Sequence, residues 1–81
     1  MKFTLRRYFQ CERKLVYGNA YSRLLVGQIG RYSKPPEWAK GRKVYAWTSW
    51  NGAGYEWFDT VTAAQNWLEQ QFREQILGER S

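Results

Sequence analysis

Apolar positions recur with two different periods along this chain, and the change falls near residue 59. From there on they return every three to four residues, at Val61, Ala64, Leu68 and Phe72 with Trp67 flanking the stripe, which is the spacing of one helix face. Thr60 stands where an N-cap belongs, Asp59 adds negative charge at the positive end of the dipole, and Gly78 is a natural stop. A helix over residues 60–77 is predicted, with Trp67 and Phe72 as core anchors and Glu69 and Arg73 paired four residues apart on its outer side.

Before residue 59 the period is two. Residues 43–48 and 55–58 alternate around Asn51-Gly52-Ala53-Gly54, a composition that supplies the positive φ angles of a tight turn, so residues 43–58 read as a β-hairpin. Alternation puts Tyr45, Trp47 and Phe58 on one face, and Val44, Ala46, Thr48, Trp50, Tyr55 and Trp57 on the other. Because Phe58 leads straight into the helix, Tyr45, Trp47 and Phe58 are expected beneath it, leaving Trp50, Tyr55 and Trp57 facing away. Residues 23–31 are rich in aliphatic side chains and predict a further strand, with Gly27 and Gly30 marking a bulge or a close approach. Residues 32–42, with two prolines and a glycine, read as a basic loop carrying Tyr32 and Trp38. Residues 1–17 fit two patterns. As a helix they would place Leu5, Tyr8, Phe9, Leu15 and Val16 on one side; as strands, Phe3 and Leu5 alternate and residues 14–17 pair with 24–29 through Gly18-Asn19, the arrangement preferred here. The expectation is a single α+β domain over residues 1–81, a three- or four-stranded antiparallel sheet packed by a C-terminal α-helix.

Charge changes the picture more than composition does. The formal net charge is +6, yet residues 1–43 carry eleven basic side chains against two acidic, a balance of +9, while residues 44–81 carry two against five, a balance of −3. Such asymmetry predicts one face or arm that meets polyanions. Histidine is absent and Cys11 is the lone cysteine, so a thiolate–imidazole pair, a triad base and the usual zinc ligand sets are missing, and the acids are scattered. No enzyme, no metal site and no cofactor are expected. The glycines of Gly52-Ala53-Gly54 lie inside a hairpin, not between strand and helix, so they make no phosphate loop. Arg6 and Arg7 interrupt the apolar run that an export signal needs, and a single cysteine does not suggest a disulfide-stapled secreted domain. A cytoplasmic protein with no membrane partner is expected, with Cys11 as a small buried side chain.

Nucleic-acid binding fits the remaining pattern. Lys and Arg neutralise phosphates and aromatic faces stack on unpaired bases, which is why the two types interleave in such sites. Here Arg31, Tyr32, Lys34, Trp38, Lys40, Arg42 and Lys43 interleave in that way, joined by Arg23, and Trp50, Tyr55 and Trp57 form a candidate aromatic platform. The stretch 47–68, with its Phe58-Asp59-Thr60 junction followed by Ala64 and Leu68, resembles the end of the arm-type DNA-binding domains of phage integrases and of the plant ethylene-response-factor DNA-binding domain. The resemblance implies a sheet packed on one helix by an Ala, and an outer sheet face that enters the major groove through Trp50, Tyr55, Trp57 and either Arg23 or Arg31. Glu56 and the lack of Arg in the hairpin depart from that pattern, so the cations must come from residues 23–43 or the N-terminal segment. Two alternatives stand beside it: a protein-interaction or inhibitor module of phage or mobile-element type docking on an acidic protein surface, and homodimerisation through Trp50, Tyr55 and Trp57.

Overall fold

A computed structural model of the protein describes residues 2–7, 12–19, 21–50 and 56–78. In chain order these form β1 (Lys2–Arg7), β2 (Arg13–Gly18), β3 (Arg23–Arg31), a short 3-10 turn (Glu37–Ala39), β4 (Val44–Thr48), β5 (Glu56–Phe58) and α1 (Val61–Gln75). The strands make one antiparallel sheet in sequence order, β1-β2-β3-β4-β5, and α1 packs across one of its faces. The α+β class with an antiparallel sheet and a C-terminal helix is therefore as the sequence predicts. The sheet has five strands rather than three or four, because the N-terminal segment contributes two. The turn at 51–54, Cys11, Tyr8 and Phe9 lie outside the described residues.

Strand pairing sorts the side chains into rows. On the helix side, Leu5, Leu15, Gly27 and Thr48 lie side by side across four strands, and next to them run Ile29 with Ala46 and Val44 with Phe58. Leu15, Val26, Ile29, Val44 and Ala46 close against Ala64, Leu68 and Phe72 of the helix to form the core. Phe72 also meets Phe3 and Tyr17, with ring centroids 5.8 and 5.0 Å away, so the helix clamps the β1–β2 edge as well as the centre. The register between β2 and β3 shifts at Leu15/Val16, where Leu15 faces Gly27 and Val16 faces Leu25, leaving Val26 as the extra residue of a bulge. Consecutive Val26 and Gly27 are consequently both buried. Gly27 lets the helix come close, since a Cβ there would sit 2.8 Å from Leu68 Cδ2 and 2.3 Å from the Trp47 carbonyl oxygen.

Two local devices hold the ends. Between β2 and β3, the Asn19 side chain accepts from the Tyr21 and Ser22 amides at 2.8 and 2.9 Å, and its own amide donates to the Ser22 carbonyl at 2.9 Å. Gly18 precedes this turn at φ +153°, with the Ser22 carbonyl where a Cβ would be. At the helix start, Thr60 accepts from the Ala63 amide at 3.1 Å as the N-cap. The expected Glu69–Arg73 pair is replaced by other contacts: Glu69 accepts from Gln65 at 2.9 Å, and the Arg73 guanidinium lies 5.2 Å over the Phe3 ring.

The face assignment of the hairpin is corrected by the structure. Val44 pairs with Phe58 and Tyr45 with Trp57, so Val44, Ala46 and Phe58 lie under the helix while Tyr45 and Trp47 point the other way. A one-residue change of register flips every side chain. Bulk decides which register wins: α1 approaches β3 and β4 at Gly27 and Ala46, where Tyr or Trp would not fit. Trp50 is corrected too. It follows the end of β4, packs on Phe72 with centroids 5.8 Å apart, and donates its indole N–H to Gln75 Oε1 at 2.9 Å, on the helix side.

Candidate functional site

The face of the sheet without a helix is divided between cations and aromatic rings. One row reads Arg6, Lys14, Gln28, Trp47 across β1 to β4; another reads Lys2, Gly18, Arg23; a third reads Gly30, Tyr45, Trp57 across β3 to β5. The β1–β3 side is thus basic and the β4–β5 side aromatic. Lys2, Thr4, Arg6, Val16, Asn19 and Arg23 surround a shallow depression of about 250 Å³, and Arg23 Nε donates to the Asn19 carbonyl at 3.4 Å.

The aromatic half is a cluster of four rings. Tyr32 stacks on Tyr45 with centroids 5.2 Å apart and planes at 28°, and on Trp57 at 5.9 Å and 29°. Trp38 meets Trp57 edge-on at 5.8 Å, and Tyr45 meets Trp57 at 5.8 Å. Gly30 makes the room: a Cβ there would sit 2.5 Å from the Tyr45 ring. Tyr32 and Trp38 come from the loop after β3, folded back by the Tyr32 amide donating to the Lys43 carbonyl at 2.8 Å and by the 3-10 turn that Lys40 closes at φ 55°. They form the outer layer, 51 % and 66 % exposed, whereas Trp57 beneath them is 6 % exposed. The Trp57 indole N–H is buried with no hydrogen-bond partner among the described residues, which left so would cost about 1–3 kcal/mol.

Beside this cluster, Arg31, Tyr32, Ser33, Gly41, Lys43 and Asp59 line an open groove of about 470 Å³. Arg31 ends β3 and Lys43 precedes β4, so strand pairing brings two cations separated by eleven residues to one groove with Tyr32 as its shared wall. Lys34, Lys40 and Arg42 are exposed on the loop but do not line it.

Of the residues the sequence singles out, the structure brings together Tyr32, Trp38 and Trp57 in the cluster and Arg31 and Lys43 in the groove, and it places Arg23 on the basic side. Trp50 is separated from Trp57 by the thickness of the sheet, Trp57 is covered instead of exposed, and Tyr55 lies outside the described residues. Sequence reasoning missed Tyr45, which the hairpin register moves out from under the helix. It also missed the ordering of Lys2, Arg6 and Lys14 on one face, although the alternation Lys2, Thr4, Arg6 carries that signal. Among the described residues, no three His, Cys, Asp or Glu side chains are grouped as for a metal ion. No described helix is long and apolar enough to cross a membrane.

No known protein family, no curated protein and no solved structure matches this chain.

Proposed function

We propose that the chain is a non-enzymatic nucleic-acid-binding module whose binding surface is the helix-free face of the sheet. The observation that carries this reading is the row Arg6, Lys14, Gln28, Trp47, flanked by Lys2 and Arg23 on one side and by the Tyr32–Tyr45–Trp38–Trp57 cluster on the other. Cations alone would be ordinary solvated surface, and rings alone a small second core. Side by side on one open face they match the two parts of a nucleic acid, phosphate and base. The resemblance to integrase arm-type and ethylene-response domains implies the sheet as the reading surface but a duplex as the ligand, and here the cations come from β1, β2 and β3 in place of the hairpin.

Intrinsic tryptophan fluorescence titrated with oligonucleotides at two salt concentrations tests the reading. Binding should weaken steeply with salt, and replacing Arg6 and Arg23 together by Ala should reduce the log–log salt slope by about 2, roughly one per lost phosphate contact. Replacing Lys40, Arg42 and Lys43 by Ala addresses the loop separately; if only that variant flattens the slope, the basic strands are not the site. No binding at low salt would remove the reading altogether.

A second reading, docking on an acidic protein surface, is favoured by the β2–β3 turn and the start of β3, where Tyr21 is 98 % exposed and Leu24 and Leu25 are 56 % and 40 % exposed. Apolar side chains projecting next to Arg23 suit a protein contact better than a phosphate backbone. Tyr21→Ser with Leu24→Ser, Leu24 lying in the opposite row with Tyr17, should leave oligonucleotide affinity unchanged; a loss of nucleic-acid binding in that variant would count against a separate protein site.

A further inference from the structure

We infer that the nucleic acid bound by this face is single-stranded, with a base stacked on the exposed rings of Trp38 and Tyr32 and its phosphate held in the groove at the end of β3 and β4, where Lys43 continues the row of Tyr32 and Arg31 lines the rim from the helix-side row. This rests on the nucleic-acid reading above and goes beyond it by naming the ligand class.

Width argues against a duplex groove. Five strands about 4.8 Å apart span roughly 19 Å from edge to edge, whereas the major groove of B-DNA is about 12 Å wide and accepts a helix or a two-stranded ribbon. The helix is no substitute reader. The one basic side chain within α1 is Arg73, which lies over Phe3, and Glu69 and Glu74 on the same helix repel phosphate.

Ring exposure argues for unpaired bases. Trp38 and Tyr32 are the most exposed members of the cluster, Trp38 resting on Trp57 and Tyr32 on Trp57 and Tyr45, so ring surface is open to a ligand. Stacked base pairs offer edges to a protein, and only an unstacked base offers its π-face. The groove beside Tyr32 adds the complementary charge, with Arg31 and Lys43 on its walls. Asp59 lines the same groove and offsets part of that positive charge, so the phosphate is expected on the Lys43 side of Tyr32.

The experiment uses the full chain with three fluorescently labelled probes of equal length: an oligothymidylate, the same backbone lacking bases, and a blunt duplex. The oligothymidylate should bind at least about tenfold tighter than either of the others, and Trp38→Ala should weaken it by roughly 5- to 150-fold, the range for loss of one base stack, while leaving duplex and abasic binding unchanged. Trp38→Phe, which keeps a stacking face, should recover most of the loss; because Trp38 is 66 % exposed, both variants are expected to keep the parent's far-UV circular dichroism. Arg31→Ala with Lys43→Ala should weaken all phosphate-bearing probes and lower the salt slope. A duplex that binds as tightly as the oligothymidylate, with Trp38→Ala indistinguishable from the parent, overturns the single-strand inference and leaves the nucleic-acid reading standing. Failure of every probe at low salt overturns both.

Discussion

The two glycines of β3 face opposite sides of the sheet, and adding one methyl group at each separates the core from the aromatic cluster. At Gly27 the new Cβ would lie 2.3 Å from the Trp47 carbonyl oxygen and 2.8 Å from Leu68 Cδ2. A backbone oxygen cannot step aside without moving β4, so Gly27→Ala should cost roughly 3 kcal/mol or more, at the top of the overpacking range. At Gly30 the nearest atoms are the Tyr45 ring carbons and hydroxyl at 2.5–2.6 Å, the far end of a side chain that can swing away. Gly30→Ala then forfeits the contacts of Tyr45 with Tyr32 and Trp57, about 0.5–1.5 kcal/mol each, and regains about 0.5–1 kcal/mol because Ala loses less backbone entropy than Gly in a strand. The net loss is centred on about 1 kcal/mol, within limits of roughly 0–2.5 kcal/mol. An 81-residue chain has of the order of 4–12 kcal/mol of stability to draw on, and each kcal/mol moves the melting temperature by about 4–8 °C at this size. Thermal unfolding followed by far-UV circular dichroism should show Gly30→Ala melting about 4–8 °C below the parent and Gly27→Ala failing to fold or melting well below that. Near-UV circular dichroism should change for folded Gly30→Ala, because the Tyr32–Tyr45 stack is broken. If Gly30→Ala matches the parent in both signals, or falls as far as Gly27→Ala, the placement of Tyr45 over Gly30 is refuted.

Other substitutions probe the core, the cap and the orphan donor. Leu68→Ala removes a fully buried side chain at the centre of the helix–sheet contact and should cost about 2–5 kcal/mol in urea unfolding; a loss under 1 kcal/mol would mean the helix does not pack there. Thr60→Ala takes the acceptor from the Ala63 amide and should cost about 1 kcal/mol, with Thr60→Asn restoring most of it. Trp57→Phe deletes an indole N–H that has no partner among the described residues, relieving about 1–3 kcal/mol, against a combined transfer and cavity loss of about 1–2 kcal/mol for roughly 40 Å³ lost. Stability should stay level or rise slightly, and a loss above about 2 kcal/mol would show that the N–H is bonded.

Local signals and tertiary ones divide this protein cleanly. The period of three to four from Val61 to Phe72, the cap at Thr60, the strand pattern of residues 23–31 and the turn at Gly18-Asn19 were all legible, because each is set by neighbours within a few residues. The basic-then-acidic division of the chain was legible for the same reason, being a property of the sequence itself.

What the sequence by itself determined, then, is the class of fold, the order of elements from residue 23 onwards and the half of the chain that carries the cations; residues 1–17 fitted both a helix and strands until the sheet paired them. Which face of each strand meets the helix was decided by packing alone. Tyr45 and Trp47 alternate with Val44 and Ala46 equally well in either register, and only the bulk allowed between α1 and β3 selects Val44 and Ala46 for the inside. The same choice sends Tyr45 outwards onto Gly30, draws Tyr32 and Trp38 over Trp57, and puts the rings beside the cations of β1 to β3. No periodicity within one segment encodes that juxtaposition, because it arises from contacts between residues far apart in the chain, and those contacts exist only once the strands have paired and the helix has closed one side of the sheet.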